Sequence, residues 1–355
     1  MGMSHWVATG LASCFAVSAF GQPVLEQGLQ AELLGNAGGA NPIMDWIPTP
    51  AFGSGLMVGT TDGAGVTLSV MDEDGLLAAF TTISGTGASD VRFDRGGGFN
   101  GELLVTTRAS GTRRARVRQF DAMGIQTATN AEGGPANQLR WFVDIVSPGT
   151  IYQPGPGEGG GNAFLVDADP DQGIQYWSFA PSGNLSQLPS LSSVSDANGV
   201  EFDRNGDYGG RLLGVSAAGL FAIDGGFNEA LLQPANGESF FDLTQTRGGT
   251  FGQFVYVASF SSGTVFRMKT DGTREVVATG FDPIFRLASD EAGDRIFIGE
   301  TDGDVWVLSA EPEPCVVDLT TSGTNPGDPD YGVPDGQVTA ADLTCYVELW
   351  LNGCP

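Results

Sequence analysis

Residues 253–280, QFVYVASFSSGTVFRMKTDGTREVVATG, decide the fold. They read as three strands, 254–260, 264–269 and 274–278, in which β-branched and aromatic residues alternate with polar ones. The turns between them are Ser261-Ser262-Gly263 and Thr270-Asp271-Gly272. Asp-Gly between such runs is a strong hairpin signal, because both central residues of the tightest turn take φ > 0. A further strand, 241–246, precedes the stretch. Four antiparallel strands in about 40 residues describe one blade of a β-propeller.

Working outward, six units align on the glycine between their second and third strands: Gly63, Gly111, Gly173, Gly219, Gly263 and Gly303. A second series, Gly75, Gly124, Gly183, Gly226 and Gly272, marks the next turn in five of them. The sixth unit stops after 304–309 and lacks a fourth strand. Leu29–Leu34 has no unit of its own and is expected to supply that strand, closing the ring without an open edge. The expected fold class is all-β: a six-bladed β-propeller over 24–311, followed by a linker, 312–314, and a small module, 315–355. An irregular β-sandwich is the alternative, and six aligned units weigh against it.

The chain has 355 residues, 54 of them glycine, which suits an all-β protein full of tight turns. Its net charge of −26 argues against nucleic acid or anionic lipid as a partner and favours cations. Residues 1–21, uncharged except at His5 and apolar, read as a secretory signal, and Leu11–Cys14 also resembles a lipobox. His5 is the single histidine, so the mature chain would have none. Ser-His-Asp catalysis and histidine-ligated zinc are then excluded, and any chemistry falls to carboxylates, Arg, Tyr, Ser/Thr or a hard metal. No later segment approaches the ~20 apolar residues that cross a bilayer.

The first residues of each blade's inner strand face the central channel. Asp45, Asp90, Asp144, Asn198, Asp242 and Arg286 fall at or near those positions. Such a ring of oxygen groups suits Ca²⁺; equally, it suits caps on strand ends and channel water. Two units share a further pattern, Asp94-Arg-Gly-Gly-Gly-Phe-Asn-Gly and Asp203-Arg-Asn-Gly-Asp-Tyr-Gly-Gly. It reads either as a Gly-rich turn with an aromatic plug or as a peripheral cation site. The basic run 113–118 reads as a solvated outer strand pairing with acidic neighbours, or as a site for an acidic sugar.

After Glu311-Pro-Glu-Pro314 the composition changes: 315–355 carry six acids and no base. Asp335-Gly336-Gln337-Val338 through Asp342 has the second half of an EF-hand-type loop, with glycine at the sharp turn and a carboxylate opening a helix. Leu343, Tyr346, Val347, Trp350 and Leu351 form one face of that helix. Cys315 and Cys354 bracket the module and are expected to bridge, whereas Cys345 faces away from the apolar stripe and is expected to stay out of an internal bridge.

This module resembles the GC-type dockerin-like domains of secreted bacterial proteins. The match is carried by Cys315, Asp318-Leu-Thr320, Asn325 to Pro329, Tyr331 to Gly336, Val338 to Leu343 and Gly353-Cys354-Pro355. The resemblance implies calcium binding, through Asp318, Thr320, Asp335, Gln337 and Asp342, and attachment to an extracellular or cell-surface protein. The remainder is similar in pattern to the NHL and gluconolactonase-like superfamily, whose lactonases hold a divalent metal in the channel with carboxylate and amide ligands. The leading functional expectation is a secreted, calcium-anchored propeller for binding or display, with a carbohydrate as a further candidate partner. The alternative is a metal-dependent lactonase or related hydrolase working in the channel.

Overall fold

The computed structural model describes residues 23–61, 65–84, 86–95, 97–109, 115–129, 141–145, 163–169, 173–183, 185–187, 197–225 and 228–311. Residues 1–22, which contain the expected signal, and 312–355 with Cys315, Asp318, Thr320, Asp335, Gln337, Asp342, Cys345 and Cys354, lie outside these residues.

The protein is an all-β propeller. Its described strands form six antiparallel sheets, and apart from two N-terminal strands each sheet has its strands side by side in chain order. The inner strands are Ile43–Ile47, Thr86–Phe93, Trp141–Ile145, Gly199–Phe202, Phe240–Gly248 and Ile284–Ser289; their sheets are blades 1 to 6. Each inner strand touches the next, and that of blade 6 touches that of blade 1, so the ring closes. Among the described residues no helix is long and apolar enough to cross a membrane.

Blade 5 has the expected build: Phe240–Gly248, Gly252–Ser259, Thr264–Met268 and Arg274–Thr279. Its Asp-Gly turn differs from expectation. Gly272 takes φ 83°, but Asp271 does not have a positive φ. Instead the Gly272 N–H donates to Lys269 O and the Lys269 N–H to Thr273 O, and Asp271 accepts from the Thr273 N–H at 2.8 Å. The extra residue makes a longer turn in which glycine alone needs the left-handed conformation. At the other turn, a Cβ on Gly263 (φ 57°) would run into the carbonyl of Phe281, so no larger residue fits there.

Closure of the ring follows the expectation. Leu29–Asn36 pairs with Asp304–Ala310, from Leu29 opposite Ala310 to Asn36 opposite Asp304. One feature was not expected: Val24 and Leu25 pair with Thr279 and Ala278, adding a fifth strand to blade 5. The N-terminal segment therefore ties blade 5 to blade 6 before it completes the latter. Its apolar side chains, Leu25, Leu29 and Ala31, pack on the core that blades 5 and 6 share through Tyr256, Val265, Ile284 and Leu308.

The shared Asp-Arg pattern serves turn geometry. Asp203 accepts the backbone N–H groups of Gly206, Tyr208 and Gly210 at 3.0, 2.7 and 2.8 Å. Asp94 accepts those of Phe99 and Gly101 at 2.6 and 3.0 Å. These carboxylates satisfy backbone donors that would otherwise be stranded in a buried turn. Arg118 lies on the third strand of blade 2, Ala115–Phe120, covered by the outer strand Gln126–Thr129 rather than forming the outer strand itself, and it bonds Thr107 and Gln126; Arg113 and Arg114 lie outside the described residues.

Candidate functional site

The inner-strand polar residues meet at the axis, and most of them bond to the neighbouring blade. Asp45 of blade 1 accepts the Phe93 N–H of blade 2 at 2.6 Å. Asp242 of blade 5 accepts the Leu287 N–H of blade 6 at 2.8 Å. Asn198 donates its amide to the Phe240 carbonyl of blade 5 at 3.2 Å. The same sequence position thus staples one blade to the next, which is why a short polar side chain recurs there. Asp90 accepts the N–H of Val91 on its own strand at 2.9 Å. Asp144 lies on the inner strand of blade 3.

Two arginines run across the channel between blades that are not neighbours. Arg286 of blade 6 donates to the Ser89 carbonyl of blade 2 at 2.7 Å, with its guanidinium over the Phe285 ring. Arg92 of blade 2 donates to the Val200 carbonyl of blade 4 at 3.3 Å. It also lies 3.8 Å from the Asp90 carboxylate and 4.0 Å from that of Asp45. Arg95 grips Asp45 with both ends of its guanidinium, at 3.1 and 2.8 Å.

The electrostatics follow from this packing. Burial pushes the Asp45 carboxyl up, but Arg95 and Arg92 outweigh it and hold the group below its usual range. Asp242 goes the other way. Burial dominates the pull of Arg286 and Arg92, and Asp90 adds like-charge repulsion, raising it to about 6. A carboxyl raised on folding stabilises most below its unfolded pKa, and that contribution is lost as pH rises through about 6. Two units correspond to about 3 kcal/mol. Urea unfolding of wild type and Asp242→Asn at pH 4 and 7 checks this. Wild type should lose about 3 kcal/mol more than the variant between the two; parallel behaviour would refute it.

Where the inner strands finish, the channel opens into a mouth lined by Arg92, Arg95, Arg204 and Arg247 together with Asp45 and Glu201. The free space among them is about 20 Å³, room for a water and little else. Glu201 pairs with Arg204 at 3.3 Å. Arg247 is different: its nearest carboxylate, Glu291, is 4.0 Å away, and its side chain is 37% exposed. Burial, then Arg204 and Arg95, lowers its pKa, so three guanidinium groups share one small region.

A divalent cation held by free channel oxygens does not fit the described residues. Two guanidinium groups occupy the channel, and Asp45 is committed to Arg95 and a backbone N–H. Asp45, Asp90 and Asp242 form no three-carboxylate group; the one such group among the described residues is Asp282, Glu300 and Asp302 on blade 6. Even there, Glu300 already accepts the Asp282 N–H and the Trp306 indole N–H.

Sequence reasoning points to Arg286 at the axis and misses the mouth arginines, although a signal for two of them exists. Arg95 and Arg204 are the second residues of the two shared Asp-Arg turns, so the turn that caps a loop also aims a cation at the axis.

No protein-family model matches the chain, and no curated protein matches it in sequence. Solved structures do share its fold. A gluconolactonase from Xanthomonas campestris superposes with a TM-score of 0.55 at 15% identity, over 82% of this chain and 95% of that one. The PQQ-bound aldose sugar dehydrogenase from Streptomyces coelicolor gives 0.55 at 12%, over 81% and 100%. A streptogramin B lyase gives 0.50 at 10%, over 80% and 98%. At these identities the likeness is one of fold.

Proposed function

We propose that this chain is a six-bladed propeller that recognises a small sugar acid, or the corresponding lactone, over its arginine-lined mouth. This is the alternative functional expectation without its channel metal. The observation that carries it is Arg247, a half-exposed guanidinium crowded by Arg95 and Arg204 and poorly matched by Glu291. A carboxylate arriving from solvent relieves that repulsion and meets a fork of donors suited to it. The mouth is too tight to swallow a sugar ring, so the ligand docks from outside, a sugar acid by its carboxylate and a lactone by its ring carbonyl as acceptor. In a chain of net charge −26, a local cluster of this sign also favours anions that the rest of the surface repels. The sugar- and lactone-acting neighbours support the substrate class and no more.

The test is calorimetric titration of the full chain with gluconate, beside an assay of glucono-δ-lactone hydrolysis with and without chelator. Gluconate should bind, and Arg247→Ala should weaken it about tenfold, as expected for one partly exposed charge-assisted pair. Equal binding by wild type and variant, or none at millimolar gluconate, would remove the proposal.

A second reading concerns 315–355. Six acids without a base, in an ordered match to a dockerin-like module, favour calcium-dependent anchoring of a secreted chain to an extracellular partner. It is compatible with the first. A calcium arm of the same calorimetry, with Asp335→Ala as the comparison, separates them: millimolar-range binding lost in the variant supports anchoring, and no calcium uptake opposes it.

A further inference from the structure

A groove of about 350 Å³ lies between blades 4 and 5, walled by the third and fourth strands of blade 4, Gly219–Ile223 and Glu229–Pro234, and by the Lys269–Gly272 turn of blade 5. It shares no lining residue with the channel mouth. Its volume falls within the range of small-molecule sites. Leu220 and the half-buried Leu232 supply apolar wall. Two charged side chains of one turn, Asp207 and Arg211, line it as well.

Neither charge is matched within the described residues. Asp207 is exposed and Arg211 half-buried, so solvent reaches both. Among the described residues no carboxylate pairs with Arg211, no cation pairs with Asp207, and the two do not pair with each other. The Arg211 Nε–H donates to the Tyr208 carbonyl at 2.5 Å, which anchors the side chain and leaves both terminal amino groups to an outside partner. Lys269, the other cation of the groove, is committed to Glu275. The turn itself does not need these charges. In its twin on blade 2, Gly98 stands in the place of Asp207 and Glu102 in that of Arg211. Glu102 is satisfied there, accepting from Gln119 at 2.6 Å and from Thr127 at 2.5 Å. Strand register puts Ala222 where blade 2 has Gln119, so blade 4 offers Arg211 no such polar partner.

We propose that this groove binds an apolar α-amino acid, its carboxylate on the Arg211 guanidinium, its ammonium on the Asp207 carboxylate and its side chain against Leu220 and Leu232. A guanidinium fork matches a carboxylate with two parallel hydrogen bonds, and Arg211 has its terminal amino groups to give. A carboxylate alone would meet Asp207 as a like charge, and an amine alone would meet Arg211 in the same way. A small molecule carrying both signs satisfies each, whereas an uncharged one leaves both unmatched. The apolar wall then selects for a hydrocarbon side chain over a polar one. The proposal stands independently of the channel mouth.

The experiment is calorimetric titration of the full chain with L-leucine, beside isocaproate, which lacks the ammonium, and isoamylamine, which lacks the carboxylate. Leucine should bind saturably, and each truncated probe about tenfold or more weakly than leucine. Arg211→Gln should weaken leucine about tenfold and bring isoamylamine level with it. Asp207→Asn should weaken leucine about threefold, an exposed pair being worth less, and bring isocaproate level with it. Both variants should keep the wild-type melting temperature, because the twin turn on blade 2 holds its shape without either charge. No saturable binding at millimolar leucine overturns the site. So does equal binding of leucine and either truncated probe by the wild-type chain, or a leucine affinity unchanged in both variants.

Discussion

A variant lacking residues 24–36 should melt about 6–8 °C below the intact chain, or show no cooperative transition at all. The deletion removes the strand Leu29–Asn36 from blade 6 and the short strand Val24–Leu25 from blade 5. Two edges are then left open, with the backbone groups of Asp304–Ala310 facing solvent. Four apolar side chains, Leu25, Leu29, Ala31 and Leu34, leave the cores they pack against, and the Glu26–Arg267 pair at 2.9 Å is lost. At roughly 1 kcal/mol for each partly buried apolar group, about 4–5 kcal/mol goes. In a chain of this size each kcal/mol shifts the midpoint by about 1.5 °C. Scanning calorimetry checks it, and a melting temperature within about 2 °C of the intact chain would show that the ring does not depend on this closure.

The closing strand is legible in the sequence because its alternation is strong and because a sixth unit with three strands needs a fourth. The same logic locates the inner strands, since turn glycines at blade spacing fix where each begins. Val24–Leu25 is not readable, because two residues carry no period and their pairing with Ala278 and Thr279 is set by where the closing strand must enter. At the axis, blade spacing puts Asp45, Asp90, Asn198, Asp242 and Arg286 in the right positions but does not say which way each carboxylate faces. That depends on the neighbouring blade, some 45 residues on, offering a backbone N–H within reach. Arginine at the mouth is hidden for a related reason: Arg95 and Arg204 sit in turns, where composition speaks of loop geometry, and only the ring brings them to one point.

The second large effect lies at that point. Asp45→Ala should destabilise the propeller by about 3–5 kcal/mol at pH 7, the cost of leaving one member of a buried ion pair behind. The substitution strands the Arg95 guanidinium, leaves Arg92 with one carboxylate fewer, and takes the acceptor from the Phe93 N–H that joins blade 1 to blade 2. Asp45→Asn separates these parts, since its amide oxygen can still take the N–H while the charge is gone; it should fall between wild type and the alanine variant. The effect must also depend on pH. A carboxyl held low by arginine stabilises above its unfolded pKa of about 3.9 and loses that contribution as pH falls towards the folded value. The gap between wild type and Asp45→Asn should therefore narrow below about pH 4. In the double variant Asp45→Ala/Arg95→Ala the loss should be smaller than the sum of the single losses, because each single change leaves a lone charge that the double change removes. Additive losses, or an Asp45→Asn gap as wide at about pH 3 as at about pH 7, would mean that the pair is incidental and that backbone stapling alone holds the first two blades together.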